Sequence, residues 1–325
     1  MANNTPILIT GGAGYIGSHV VLALLDSNIP VVVIDDLSTG QRDLIPDGVP
    51  FVKGHIGDTD LINKTLNEYD CKSVMHFAGS IINPESFKIP LSYYSNNTSA
   101  SCDLIKACVH KGVENFVFSS SASVYGEPEN IPISESEPTN PISPYGRSKL
   151  MTEWMLSDAA IASPMKVALL RYFNVAGADP EGRSGQVGPP THLIKIATEA
   201  ALGYRRGVSI FGDDFNTSDG TCLRDYIHVT DLADAHLLAL KHLMEDGKSI
   251  VLNCGYGHGH SVKEIIKAVE KVASASIETT IAPRRIGDAA VLGADNSKML
   301  SLLSWSPNFD NIELMIRTAL DWEKR

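Results

Sequence analysis

Apolar positions alternate between two textures along the chain. Short, nearly unbroken apolar runs (Ile7-Leu8-Ile9, Val31-Val32-Val33-Ile34, Val74-Met75-His76-Phe77, Phe116-Val117-Phe118 and Val167-Ala168-Leu169-Leu170) are separated by longer stretches of helical spacing. Runs apolar on both faces, with helices between them, predict a parallel sheet covered on both sides. The expected fold is α/β: a doubly wound parallel sheet over residues 1–175, with a return near residues 225–255. Residues 176–325 would form mainly a smaller C-terminal α/β lobe. Gly177 to Pro190, rich in Gly, Pro and polar residues, reads as a crossing loop or an active-site cover. After it come helical patterns over Leu193–Leu202, Asp231–Leu243, Val262–Val272 and Ile312–Trp322. Strands are expected at Ser209–Phe211 and at Ile250–Leu252, the latter returning to the first sheet. No internal repeat or low-complexity segment interrupts this order.

One helix start is well marked. Ser143 suits an N-cap and Pro144 the first helical position, so a helix should run from here through Trp154. Tyr145 and Lys149 then share a face. A free phenol titrates near 10 and a neighbouring ammonium favours its ionised form, so the pair could hold a phenolate base near neutral pH. Alone, such a pair is more often an ordinary feature of an amphipathic helix.

Composition narrows the field. The 325 residues are 43% hydrophobic and 20% charged, with a formal charge of −11. That charge argues against nucleic acid as a partner, and phosphate would need a locally basic site. No apolar run approaches a membrane span, so no membrane partner is expected. The five cysteines are scattered without a Cys-x-x-Cys pair, and His258 and His260 lack a third ligand, so neither disulfides nor a metal is expected. Free thiols, with no basic leader or cleavage site before Pro6, make the cytoplasm the expected location.

Thr10-Gly11-Gly12-Ala13-Gly14-Tyr15-Ile16-Gly17 follows the first strand and satisfies Gly-x-Gly-x-x-Gly. Between a strand and a helix this is the phosphate turn of a Rossmann-type dinucleotide site. Asp35-Asp36 closes the second strand, where an acid accepts from a ribose diol and repels a 2′-phosphate. NAD is favoured over NADP.

With the glycine loop and the Tyr-Lys helix in place, and Ser119-Ser120-Ser121-Ala122-Ser123-Val124-Tyr125-Gly126 after a strand, the chain resembles the extended short-chain dehydrogenase/reductase family. Arg171-Tyr172-Phe173-Asn174, the run Asp219 to Val229, Asp231-Leu232-Ala233 and Pro283 to Asp288 are similar to its UDP-sugar 4-epimerase branch. The likeness extends from about Thr5 to Trp322. It implies a triad of Ser121, Tyr145 and Lys149. Lys149 would bind the nicotinamide ribose and lower the phenol pKa, Tyr145 would move the proton, and Ser121 would hydrogen-bond the reacting sugar oxygen. NAD would lie on Gly11, Gly14, Tyr15, Ile16 and Gly17, with Asp35, Asp36 and Ile56 beyond them. Phe77, Ala78, Gly79 and Asn96, then Ser119 and Tyr172, would complete its site. Asn174, Arg224 and Arg285 would hold the UDP diphosphate, Phe211 would border the uracil and Asp288 would bind the UDP ribose. Tyr226, His192 and Leu193 would also line the substrate site, with Leu292 as a gatekeeper for the sugar.

The implied reaction interconverts UDP-glucose and UDP-galactose by transient oxidation at carbon 4, the hydride returning to the other face of a 4-keto sugar. Ala122-Ser123 supports a plain redox cycle, since related dehydratases and decarboxylases carry an acid after the catalytic Ser or Thr. Alternatives are a 4-epimerase of UDP-GlcNAc, a UDP-pentose or a UDP-uronate, or a catalytically silent NAD sensor. The helical stretch Leu91–Val109 has an apolar face, and the resemblance implies that it and the Tyr145 helix pack against a second subunit as a homodimer.

Three positions depart from the branch. His55 replaces a carboxylate that accepts from the adenine amino group, so cofactor affinity falls or a ring nitrogen of His55 substitutes. Ile81 replaces a lysine, and Thr191-His192 replaces an Asn-Asn pair, putting His192 at the diphosphate or sugar. Asp225, His228 and Asp231 are read as fixing a loop and capping the helix after it.

Overall fold

The computed structural model describes residues 5–245 and 247–325. In chain order the first half contains β1 (Ile7–Thr10), α1 (Tyr15–Asp26), β2 (Val31–Asp35), β3 (Phe51–Lys53), α2 (Thr59–Glu68) and β4 (Ser73–His76). The short helices α3 (Asn83–Ser86) and α4 (Pro90–Tyr93) lead into α5 (Ala100–Lys111), β5 (Asn115–Ser119), α6 (Pro144–Ala162) and β6 (Lys166–Tyr172). The second half contains β7 (Asn174–Ala176), α7 (Leu193–Ala201), β8 (Val208–Phe211), β9 (Leu223–His228), α8 (Val229–Met244) and β10 (Ile250–Cys254). It ends with β11 (Gly259–Ser261), α9 (Val262–Ala273), β12 (Thr279–Ala282), β13 (Val291–Leu292), α10 (Ser297–Leu303) and α11 (Ile312–Glu323).

Seven parallel strands form the main sheet in the order β3-β2-β1-β4-β5-β6-β10. Alternation within each strand feeds two cores. Ile7, Ile9, Val31 and Val33 pack on one side with Val20 and Leu24 of α1 and Leu232 of α8. Leu8, Val32 and Ile34 pack on the other with Ile62 of α2 and Leu104 of α5. Full burial of such a side chain contributes about 1.5–3 kcal/mol, so both faces of the sheet are held. The strand order reverses between β1 and β4, opening a crevice at their carboxyl ends where doubly wound sheets bind ligands.

The smaller lobe is built around β9, which pairs with β7, β11 and β13, beside a parallel pair formed by β8 and β12. None of β7, β9, β11 or β13 shows as a separate run in the sequence. Each is short and is completed by partners far along the chain, as Asn174 by Tyr226 and Arg224 by Leu292.

The Leu91–Val109 stretch is helical throughout but is not all α-helix. Residues Tyr94–Ser99 form a π-helical turn between α4 and α5. The carbonyl of Asn97 accepts from the hydroxyls of Ser101 (2.5 Å) and Thr152 (3.3 Å). The Asn97 amide donates to the Ser80 carbonyl and its oxygen accepts from the Ser80 amide. These side-chain demands widen the turn, a local distortion of the kind found at functional sites.

Candidate active site

The glycine loop shows why its residues have no side chain. Gly11 has φ +71°, and a Cβ there would lie 2.5 Å from the amide of Ala78. A Cβ on Gly17 would lie 2.2 Å from the Gly11 carbonyl. These two close the turn and seat α1. Gly14 differs, since its Cβ would meet only the Gly11 carbonyl at 3.3 Å. As N-cap of α1 it supplies no side-chain acceptor, and the first turn carries no acid. Uncapped helix N–H groups beside an open backbone fit a pyrophosphate. Ile16 lies in the first turn, whereas the Tyr15 hydroxyl donates to Gly177 O over 2.6 Å and so holds the crossing loop.

Asp35 braces this turn. Its carboxylate accepts from Ala13 N (3.0 Å) and Leu37 N (2.8 Å), while Asp36, exposed, accepts from Ser38 N. Ile56 is buried, and Phe77, Ala78 and Gly79 follow β4 at the crevice. In the π-helical turn, Asn96 donates to the Ser80 hydroxyl and accepts from His55 Nε2 at 3.0 Å. Gly57 N donates to His55 Nδ1, so both ring nitrogens of His55 are engaged within the protein. A His55 nitrogen standing in for the missing carboxylate would have to give up one of these contacts.

Tyr145, Lys149 and Ser121 converge where β5 meets α6. Ser143 caps α6 by accepting from Gly146 N over 3.0 Å, so Tyr145 and Lys149 lie in its first turns. Tyr145 is buried, hydrogen-bonded to Ser121 and edge-on to Tyr93 at 6.4 Å. Lys149 Nζ donates to Ser119 O over 3.0 Å, and the Ser119 hydroxyl donates to Tyr172 at 3.0 Å. Burial dominates the electrostatics. It pushes the Tyr145 phenol up, opposed by the Ser121 hydrogen bond, and draws Lys149 down to about 8, opposed by Glu153. At Tyr145, desolvation outweighs the hydroxyl contact.

A second cluster forms in the smaller lobe. Asp288 accepts from Arg285 Nε at 2.8 Å and lies 3.7 Å from Arg224 Nη2. The Arg285 guanidinium stacks 4.9 Å from the Phe211 ring centroid. Asn174 and Tyr226 are paired in register and hydrogen-bonded through their side chains. Leu292, opposite Arg224, packs against the buried group containing Ala122, Leu150 and Phe173, next to the Ser121 segment. His192 stands at the N-cap of α7. Its ring faces Tyr15 (centroids 6.2 Å apart) and lines a small cavity with Gly177, Gln186 and Trp322, and Leu193 begins α7 behind it.

Other residues have structural roles. Asp225 accepts from the amides of Tyr256, Gly257 and Ala294, His228 caps α8 through Thr230 N, and Asp231 accepts from Asn308 N and Phe309 N. Sequence reasoning missed Glu153, Ser120 and the role of Arg171. The signal was available: Glu153 falls four residues beyond Lys149, placing an acid on the buried face of α6.

Residues 7–255 match the NAD dependent epimerase/dehydratase family. The chain belongs to that family. It is 53% identical over 319 residues to UDP-glucose 4-epimerase of Azospirillum brasilense, covering 98% of this chain and 92% of that one. A structure of UDP-glucose-4-epimerase from Stenotrophomonas maltophila, with bound NAD and formylated UDP-arabinopyranose, superimposes with a TM-score of 0.94 at 39% identity, covering 98% of each chain. The UDP-Glc/GlcNAc 4-epimerase of Campylobacter jejuni gives 0.86 at 46% identity, covering 98% of this chain and 99% of that one. The chain is thus a member of an NAD-dependent family of epimerases and dehydratases, with NAD as its cofactor. Among the described residues there is no group of three or more His, Cys, Asp or Glu suited to a metal, and no helix long and apolar enough to cross a membrane.

Proposed function

We propose that this protein interconverts UDP-glucose and UDP-galactose, with Tyr145 exchanging the proton of the sugar 4-hydroxyl. The observation that carries this reading is the convergence of Tyr145, Ser121 and Lys149 at the end of β5, with the Arg224–Asp288–Arg285 cluster on the adjoining lobe. Gly14 and the uncapped start of α1 would take the pyrophosphate of NAD, Asp35 or Asp36 its adenosine ribose, and Lys149 its nicotinamide ribose. When bound, NAD supplies the hydride acceptor for carbon 4. Ser121, in contact with Tyr145, orients the sugar hydroxyl toward the phenol. Arg224 and Arg285 exchange part of their contact with Asp288 for the diphosphate, which presents paired acceptors to a guanidinium. No acid follows Ser121, so nothing beside the triad drives elimination, and an oxidised sugar is reduced again rather than dehydrated.

A second reading, turnover of UDP-GlcNAc as well, is favoured by Leu292. Leucine is smaller than an aromatic gate, and the Campylobacter jejuni neighbour at 46% identity is a UDP-Glc/GlcNAc enzyme. We also propose a homodimer formed through α5 and α6. Val109, Trp154 and Ile161 are exposed large apolar residues on these helices, Ile161 at 86% and Trp154 at 57%. Between the helices lies an open apolar groove of about 620 Å³. A cytoplasmic location fits five free cysteines. The test is the absorbance of purified protein before and after UDP-galactose. A dinucleotide band with a partial rise near the reduced nicotinamide region is expected, and a protein without bound or bindable NAD would overturn the reading.

A further inference from the structure

Beneath the triad lies an ion pair that the reaction does not use. Glu153 and Arg171 are joined bidentately, with Nη2 to Oε2 at 2.6 Å and Nε to Oε1 at 3.0 Å, and their side chains are only 3% and 8% exposed. Glu153 Oε1 also accepts from the Ser120 hydroxyl at 2.5 Å. Ser120 is flanked by Ser119, whose carbonyl holds Lys149, and by Ser121, which contacts Tyr145. Glu153 is itself one helical turn beyond Lys149 on α6. On the other side Arg171 Nη1 donates to Tyr125 OH (3.0 Å), Tyr125 OH donates to Asn253 Oδ1 (2.7 Å), and Asn253 Nδ2 donates to Ile133 O (2.7 Å). Ile133 N in turn donates to Gly293 O, next to Leu292.

Stability alone does not call for such a pair, since apolar residues of similar volume often hold a core as well or better than a buried ion pair. Geometry does. Tyr145 and Lys149 sit on α6, whereas Ser119 ends β5 and Ser121 follows two residues later, and Ser120–Glu153 is a direct side-chain link between α6 and this segment. Arg171 fixes the carboxylate from β6, so its direction is set from three elements. We propose that Glu153 and Arg171 are positioning residues that lock the Ser119–Ser121 segment against Tyr145 and Lys149. The proposal rests on the triad reading above.

The test compares Ser120→Ala, Glu153→Gln and the double variant Glu153→Leu/Arg171→Met with the parent holoenzyme, reading kcat, KM for UDP-galactose and melting temperature. A misplacement of reacting groups costs roughly 10- to 10²-fold in rate. The first two variants should lose about that in kcat with KM changed by less than about twofold. The double variant should melt at or above the parent temperature while kcat stays low. Parental kcat in Ser120→Ala and Glu153→Gln overturns the proposal. So does a double variant that regains parental kcat or is unfolded, since either makes the pair structural only. Tyr145→Phe, assayed alongside, separates the two ideas: if it is inactive while Ser120→Ala and Glu153→Gln are parental, the triad stands and the positioning role falls.

Discussion

Arg285 Nε donates to Asp288 Oδ2 over 2.8 Å, and the same carboxylate faces Arg224 at 3.7 Å. One acid thus holds two cations of opposite setting. The Arg224 side chain is 12% exposed and pinned to the Leu223 carbonyl, whereas Arg285 is 45% exposed above Phe211. A charge-assisted hydrogen bond contributes about 1.5–3 kcal/mol, and more is lost when a partner is left in a dry site. Arg224→Ala is expected to weaken UDP binding by roughly 10²-fold and Arg285→Ala by about 10-fold, measured by calorimetry. A loss confined to kcat in either variant contradicts a role in holding the diphosphate.

Leu292 lies opposite Arg224 in the β9–β13 pair and packs beside Ala122, Leu150 and Phe173. On the proposed gatekeeper role, a ring at this position fills the space that an N-acetyl group requires. Leu292→Tyr should suppress turnover of UDP-GlcNAc by more than about 10-fold and leave UDP-galactose turnover near the parental rate. Equal UDP-GlcNAc activity in both proteins would remove Leu292 from sugar selection.

Buried histidines make the fold sensitive to acid. Burial pushes His19, His192 and His236 down to about 4, and His76 and His228 down to about 3, from 6.5. Below pH 6.5 the unfolded chain takes up protons that the folded chain refuses, so stability is lost as pH falls. Asp225 and Asp234, raised by burial to about 6, and Asp35, also raised by burial, act in the opposite sense above their usual 3.8, but they are three groups against five. The melting temperature should therefore be lower at pH 5 than at pH 7.5, and His76→Gln should flatten that dependence. A melting temperature unchanged or raised at pH 5 contradicts neutral burial of these rings.

Local chemistry was legible in the sequence; tertiary consequence was less so. The start of α6 could be read because a cap and its proline act within four residues. The strands β1, β2, β4, β5 and β6 could be read because both faces are buried and the runs are apolar throughout. Three features escaped. The π-helical turn depends on Ser80 and Thr152 reaching Asn97 from other segments. His192 turns toward Tyr15 because the crossing loop is tied there by Tyr15 and Gly177. The rise in the Tyr145 phenol comes from burial, which the Tyr145–Lys149 spacing alone does not report.

Tyr145 carries the account's central claim, that one phenol exchanges the sugar proton in both directions of a transient oxidation. The decisive measurement is steady-state conversion of UDP-galactose to UDP-glucose by Tyr145→Phe, with UDP affinity measured on the same preparation. Loss of general acid–base catalysis lowers rates by about 10²–10⁴-fold. At least that loss in kcat is expected, with UDP affinity unchanged; turnover at the parental rate would contradict proton exchange by Tyr145.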